Sequence, residues 1–346
     1  MIQLKDVAEL AGVSTGSVSK VLNGYAVSPR MKKSVELAIA ELNYKPNMVA
    51  RSLRTKTSNS IGVMVPYTND PYFMEFFRGV SIGLSEKGKV PFLFSTEPHD
   101  EFSAQKMQQI FMRGVDGLIV STYGWKDSVL EELYLIAEKI PVVSYKRSFP
   151  GTAIHSVGVD DCSGMFKAVE HLTSIGHRRI GYIASGLNLD TGQQRLKGYQ
   201  QALEQAGIAY EDNLVVESAA FQIEDGYNAV QQLLKRFPLP SAIVGANNSV
   251  AIGALKFLES RNVKIPEDIA VMGYDDEPLS TLVTPKLSSV SVPVYEMTAK
   301  AVQIIEDAIL GVHKETINIL FPTTLKIRNS TDFSATAAFE FERFSR

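Results

Sequence analysis

Gly12-Val13-Ser14-Thr15-Gly16 has the G-x-S-x-G spacing that, in hydrolases, holds a nucleophilic serine on a sharp turn between a strand and a helix. The residues before it argue against that chemistry. Leu4, Val7, Ala8 and Ala11 recur at helical spacing, so a helix and not a strand leads into Ser14. No nucleophile, base and orienting group emerge together elsewhere, and there is no glycine-rich phosphate loop. The five histidines (His99, His155, His171, His177, His313) lack metal-ligand spacing. Catalysis, a metal site and a cofactor are therefore not expected. The same stretch does carry a row of hydroxyl and ammonium donors, Thr15, Ser17, Ser19 and Lys20, which suit base edges and phosphates.

Two short helices must position these donors. Val18, Val21 and Leu22 continue the helical spacing after Gly12, a glycine suited to the left-handed turn that closes a helix, and Ser14 suits the N-cap of the next. A helix pair joined by a tight glycine-containing turn is the helix-turn-helix unit, whose second helix enters the DNA major groove. There Lys20 can donate to guanine O6 and N7, and Thr15 can offer its hydroxyl or methyl group. Ser17 and Ser19 suit phosphate contact or plain helix surface equally well. A third helix is expected over about 28–43, with Val35, Leu37, Ala38, Ile39 and Leu42 available to pack on the first two. Pro46 stops it. Asn47 can cap a short helix to Arg54, and Lys56 to Ser60 reads as linker. At eight residues that short helix is marginal alone, so its order depends on partners.

The chain of 346 residues is long enough for two or three domains, and its 45% hydrophobic and 21% charged residues describe an ordinary globular protein with substantial cores. The single cysteine, Cys162, excludes an intramolecular disulfide framework and suits a reducing cytoplasm. No apolar run suggests export or membrane spanning. Residues 1–60 hold nine Lys/Arg against four Asp/Glu, net +5, which leaves −8 for the rest of a chain whose total is −3. A basic head on an acidic body suits a protein that places only its head against phosphates.

From Ile61 onward β-rich runs alternate with helical ones, the pattern of parallel sheets wrapped by helices. Strands are expected at 61–65, 91–95, 117–120, 142–145, 180–183, 242–245, 269–273 and 323–327. Helices are expected at 72–87, 103–112, 163–175, 194–206, 225–235, 250–261 and 294–310. A region this large implies two lobes. The first would take 61–159 and 288–322, the second 160–287 and 323–330. Ligands of open α/β sheets bind beyond the carboxyl ends of the strands, here in the crevice between lobes.

The run D-V-A-x-x-A-G-V-S-x-x-S-V-S-K-V-L-N, Asp6 to Asn23, closely resembles the DNA-reading head of the lac and galactose repressor family, and the resemblance extends over about 4–328. It implies a small all-α helix-turn-helix head (1–46), a hinge helix and linker (47–60), and an α/β periplasmic-binding-protein-like body of two doubly wound parallel-sheet lobes (61–330). Residues 331–346 form a tail with Phe333, Phe339, Phe341 and Phe344 but without the leucine heptads that would tetramerise a repressor. By the same resemblance Thr15, Gly16, Ser17, Lys20 and Asn23 face DNA, with Gly16 smaller than is usual there. Asn47, Leu53 and Arg54 belong to the hinge, Leu53 wedging between base pairs in the minor groove.

The resemblance also implies an effector site. Asp70, Tyr72, Phe73 and Phe76 follow the N-x-P-F-F-like loop; Ser121 ends a strand; Arg195 matches R-x-x-G-[YF]; Phe221 matches a stacking aromatic; Asn247 and Asp275 match A-N-D and G-[YF]-D-[DN]. Aromatic faces with Arg, Asn and Asp are what a polyol site requires. Two positions depart from the pattern. Lys146 stands where the family commonly has an aspartate, and Asn248 replaces the Asp of A-N-D. Lysine donates and carries the opposite charge. Either the effector is anionic, a sugar phosphate or sugar acid held by Lys146 and Arg195, or Lys146 pairs with Asp160 or Asp161 and the ligand is neutral. The resemblance thus implies a cytoplasmic, homodimeric, operator-binding regulator, most simply a repressor, with a carbohydrate-type effector. Control by a protein co-regulator, a sugar receptor without DNA function, and an α/β enzyme are the alternatives.

Overall fold

The computed structural model describes residues 2–22, 24–44, 57–66, 68–95, 104–122, 125–236, 238–312 and 315–332. Asn23, the hinge with Asn47, Leu53 and Arg54, and the four tail phenylalanines lie outside these residues. Helix α1 (Leu4–Ala11) ends on Gly12, whose φ of 65° is the left-handed conformation that a side chain would strain. Helix α2 (Thr15–Leu22) begins one residue after Ser14, whose hydroxyl accepts from the Ser17 amide at 3.1 Å. No strand precedes Ser14, so the hydrolase elbow is absent. Helix α3 (Pro29–Glu41) starts with Ser28 as cap and proline in its first turn. Val7, Ala8, Val18, Val35 and Ala38 form the core of this small unit. Leu37 does not join it and is 61% exposed, a correction to its expected packing: Val35 and Ala38, three residues apart, define the inward face, and Leu37 falls off it.

The larger unit, 60–346, carries two six-stranded sheets. The first runs β11 (Asn318–Phe321), β5 (His155–Val159), β4 (Val142–Tyr145), β3 (Gly117–Ser121), β1 (Ser60–Val65), β2 (Val90–Ser95), every pairing parallel. The second runs β12 (Thr324–Lys326), β10 (Ser288–Ser291), β9 (Ala270–Asp275), β8 (Ala242–Gly245), β6 (Ile180–Ala184), β7 (Val215–Glu217), parallel except for β10 with β12. The connecting helices are α4 (Pro71–Glu86), α5 (Ala104–Phe111), α6 (Asp127–Ala137), α7 (Asp161–Ser174), α8 (Asp190–Gln205), α9 (Ile223–Leu233), α10 (Asn248–Ser260) and α11 (Val294–Ile309). Central strands such as β1 and β3 are buried along their whole length, which is why they read as unbroken apolar runs. No helix of the described residues is long and apolar enough to cross a membrane.

One expected boundary is corrected. The sequence puts the return to the first lobe at residue 288, yet Ser288–Ser291 pairs with β9 in the second sheet. The crossing falls at Val292-Pro293, and the chain crosses again at Pro322-Thr323. The Ser-Ser-Val-Ser strand carries no apolar signal; its buried hydroxyls are satisfied by tertiary partners, Ser288 by Arg328 and Thr331, and Ser289 by Asn248.

Glycine sets how closely two helices of the second lobe approach. A Cβ at Gly253 on α10 would collide with the Ile223 carbonyl oxygen at the start of α9, and one at Gly226 with the Val250 carbonyl oxygen. Gly253→Ala is expected to destabilise the chain by about 2–3 kcal/mol through overpacking against backbone, measured by urea unfolding. An unchanged midpoint would mean that the helices separate without cost.

Candidate functional site

The carboxyl ends of both sheets face one cavity of about 290 Å³, near the small end of the roughly 300–1,000 Å³ typical of ligand pockets. The lining follows the strand ends: Asp70 after β1 with Tyr72 and Phe73 at the start of α4, Ser121 at the end of β3 with Trp125 after it, and Lys146 and Arg147 after β4. From the second lobe come Asn188, Asp190 and Arg195 after β6, Phe221 after β7, Asn247 after β8, and Asp275 at the end of β9. Nine of the ten residues expected from the sequence line this cavity together. Phe76 does not. It is fully buried behind the cavity with its ring 4.2 Å from that of Tyr145, because the position one helical turn past Tyr72 points into the lobe core.

Arg195 is the most constrained member. It is 2% exposed, donates through Nε to Asp161 at 2.7 Å and through Nη1 to the Ala246 carbonyl, and stacks 3.8 Å over the Tyr274 ring. Burial opposes its charge, but Asp161 and Asp275 outweigh that and hold the guanidinium charged well beyond its ordinary range. Its Nη2 lies 3.5 Å from Asp275 Oδ1 and completes no hydrogen bond, leaving a buried donor.

Lys146 does not pair with Asp160 or Asp161. Its ammonium lies 3.4 Å from Asp275 Oδ1 and 3.9 Å above the Tyr72 ring. Both members of this pair have left-handed backbones, φ 74° at Lys146 and φ 88° at Asp275, which non-glycine residues adopt at a cost.

Asn247 is committed to structure. Its amide oxygen caps α10 by accepting from Val250 at 2.8 Å, and its nitrogen donates to the Phe221 carbonyl at 3.2 Å, so it places the Phe221 loop. Asp70 caps α4 through the Tyr72 amide at 2.9 Å; burial and the nearby Asp275 push its carboxyl up to about 6. The Tyr72 and Tyr145 hydroxyls share a hydrogen bond of 2.9 Å, and burial raises both phenols.

Sequence reasoning missed the rim, notably Trp125, Asp127, Arg147, Asn188 and Asp190. Their one legible signal was position, since each lies just after an apolar strand. No trio of His, Cys, Asp or Glu among the described residues is placed to hold a metal ion. In the head, Thr15, Gly16 and Lys20 are exposed and Ser17 is half-buried, with Val18 turned into the core.

Residues 3–47 match the family model described as bacterial regulatory proteins, lacI family, and residues 169–331 match that of the periplasmic binding protein-like domain. The ribose operon repressor of Haemophilus influenzae is 32% identical over 332 residues, 95% of this chain and 98% of that protein. The chain belongs to the lacI family of bacterial regulatory proteins. It is a DNA-binding transcriptional regulator and not an enzyme.

A second relative of this lacI-family chain, the transcriptional repressor PurR of H. influenzae, is 34% identical over 318 residues, 91% of this chain and 93% of that protein. Among solved structures, a complex of the regulator CelR with cellobiose is 30% identical with a TM-score of 0.72, covering 95% of this chain and all of the other. The lac repressor dimer bound to operator and an anti-inducer reaches a TM-score of 0.85 at 26% identity, covering 95% and 99%.

Proposed function

We propose that this lacI-family chain is a cytoplasmic, homodimeric, operator-binding repressor whose body binds a neutral sugar in the cavity between the lobes. The carrying observation is the state of the cavity's cations. An anionic effector held by Lys146 and Arg195 needs their charge unengaged, but both are held by Asp275, and Arg195 also by Asp161; the third cation of the lining, Arg147, lies over the Phe149 ring. The lining carries Asp70, Asp127, Asp190 and Asp275 against Lys146, Arg147 and Arg195, so an added anion would meet net repulsion. The aromatic faces of Phe73, Phe221 and Trp125 beside carboxylates and the Arg195 donor suit the apolar faces and hydroxyls of a sugar. Relatives agree with this class, one being a ribose operon repressor and another having been solved with cellobiose. The operator-bound lac repressor dimer supports the homodimer.

Residues 1–46 would be the DNA-reading head, 47–60 the hinge, and the remainder to 330 the effector body. Thr15 and Lys20 would read bases, while Ser17 and Gly16 bring the helix backbone to the phosphates.

A thermal-shift screen tests the effector class. Neutral sugars, including D-ribose and cellobiose, are expected to stabilise the chain, by about 2.7 kcal/mol at 100 times the dissociation constant, while sugar phosphates and sugar acids give no shift. Shifts confined to anionic sugars would restore the anionic reading, and silence across the panel would favour a protein co-regulator.

A further inference from the structure

Lys146 belongs to the first lobe and Asp275 to the second, so their 3.4 Å contact spans the cleft. We infer that Lys146 is a built-in occupant of the ligand cavity, tying the lobes together through Asp275 until a ligand takes its place. The inference rests on reading this cavity as the effector site.

Asp275 Oδ1 lies 3.4 Å from the Lys146 ammonium and 3.5 Å from Arg195 Nη2, so this acceptor in the cavity wall is already engaged by two cations. The ammonium is held on its other side by the Tyr72 ring, and Tyr72 is itself fixed through the Tyr145 hydroxyl and the Asp70 cap. Lys146 and Asp275 meet from left-handed backbone positions, which non-glycine residues hold at a cost that the surrounding structure must offset. Lys146 is part-buried and Asp275 nearly buried, so bulk salt screens the pair less than it would a surface ion pair.

Two consequences follow. The ligand-free lobes are held by a charge pair, where an aspartate at position 146 would repel Asp275. A ligand binds only the fraction of molecules in which Asp275 is released, so its apparent affinity is reduced by that fraction. Lys146 therefore sets both the selectivity of the cavity and the ease with which the lobes part.

The test uses the full chain carrying Cys162→Ser, with spin labels on cysteines at the exposed positions Glu131 in α6 and Glu224 in α9, one in each lobe. Lys146→Met keeps an apolar stem over Tyr72 and removes only the charge. In the absence of any sugar, it is expected to lengthen and broaden the label-to-label distance distribution relative to Lys146, and Asp275→Asn should do the same. Coincident distributions for all three would overturn the inference. Calorimetric titration with D-ribose and with cellobiose gives an independent readout. Lys146→Met should tighten binding of whichever sugar the parent binds by about tenfold, the scale of one partly desolvated ion pair. Weaker binding would overturn the inference by showing that Lys146 holds the sugar. If neither sugar binds, the sugar reading fails, while the distance measurement still decides the tie between the lobes.

Discussion

Glu277→Gln is expected to raise stability by under about 1 kcal/mol near pH 5 and by about 4–5 kcal/mol at pH 8. Glu277 is 1% exposed, and neither carboxyl oxygen has a hydrogen-bond partner among the described residues. Burial, then the carboxylates of Asp275, Asp70 and Glu75, push its carboxyl up to about 9, with Lys146 the opposing charge. In the unfolded chain the group titrates at its ordinary value of 4.5. Between these two values the folded chain keeps a proton that the unfolded chain has released, so the parent loses stability as pH rises across that window. Glutamine is a neutral isostere of the protonated acid and should flatten the profile. Asp70, pushed up to about 6, adds a smaller loss of the same sign between its ordinary value of 3.8 and 6. Thermal melts of both proteins from pH 5 to 8.5 provide the check. Parallel curves would show that Glu277 is ionised and compensated in the folded state.

Arg195→Met should abolish effector binding and destabilise the chain by roughly 3–5 kcal/mol, since it strands Asp161 as a buried charge and leaves Asp275 with Lys146 as its remaining ion-pair partner. Asp161 loses its 2.7 Å partner, the Ala246 carbonyl loses its donor, and the Tyr274 ring loses its guanidinium cover. Arg195→Lys keeps the charge but not the planar fork, so it should recover much of the stability while still failing to bind. Urea unfolding and calorimetry on the two variants separate these effects. If Arg195→Met retained parental affinity for the sugar, Arg195 would be a structural tie alone.

The head was legible because its signals are local. Gly12 closes one helix, Ser14 caps the next, and the spacing of Val7, Val18 and Val35 defines one small core, each within a few residues of the feature it controls. The alternation of apolar strands and helices was legible for the same reason, since central parallel strands must be apolar on both faces. The failures arose where distant partners decide. The Ser288–Ser291 strand exists because Arg328, Thr331 and Asn248 satisfy its hydroxyls, and Phe76 on α4 turns inward because Tyr145, at the end of β4, covers it.

Residue types and motif spacing alone determined that a basic helix-turn-helix head precedes two α/β lobes, and the resemblance to the family grouped Asp70, Arg195, Phe221, Asn247 and Asp275, which line one cavity. Only the tertiary structure decided the electrostatics of that site. The sequence leaves Lys146 to an anionic effector or to Asp160 or Asp161, and the fold presents it instead to Asp275 across the cleft. Charge interactions depend on separation and burial, and neither quantity is carried by position along the chain.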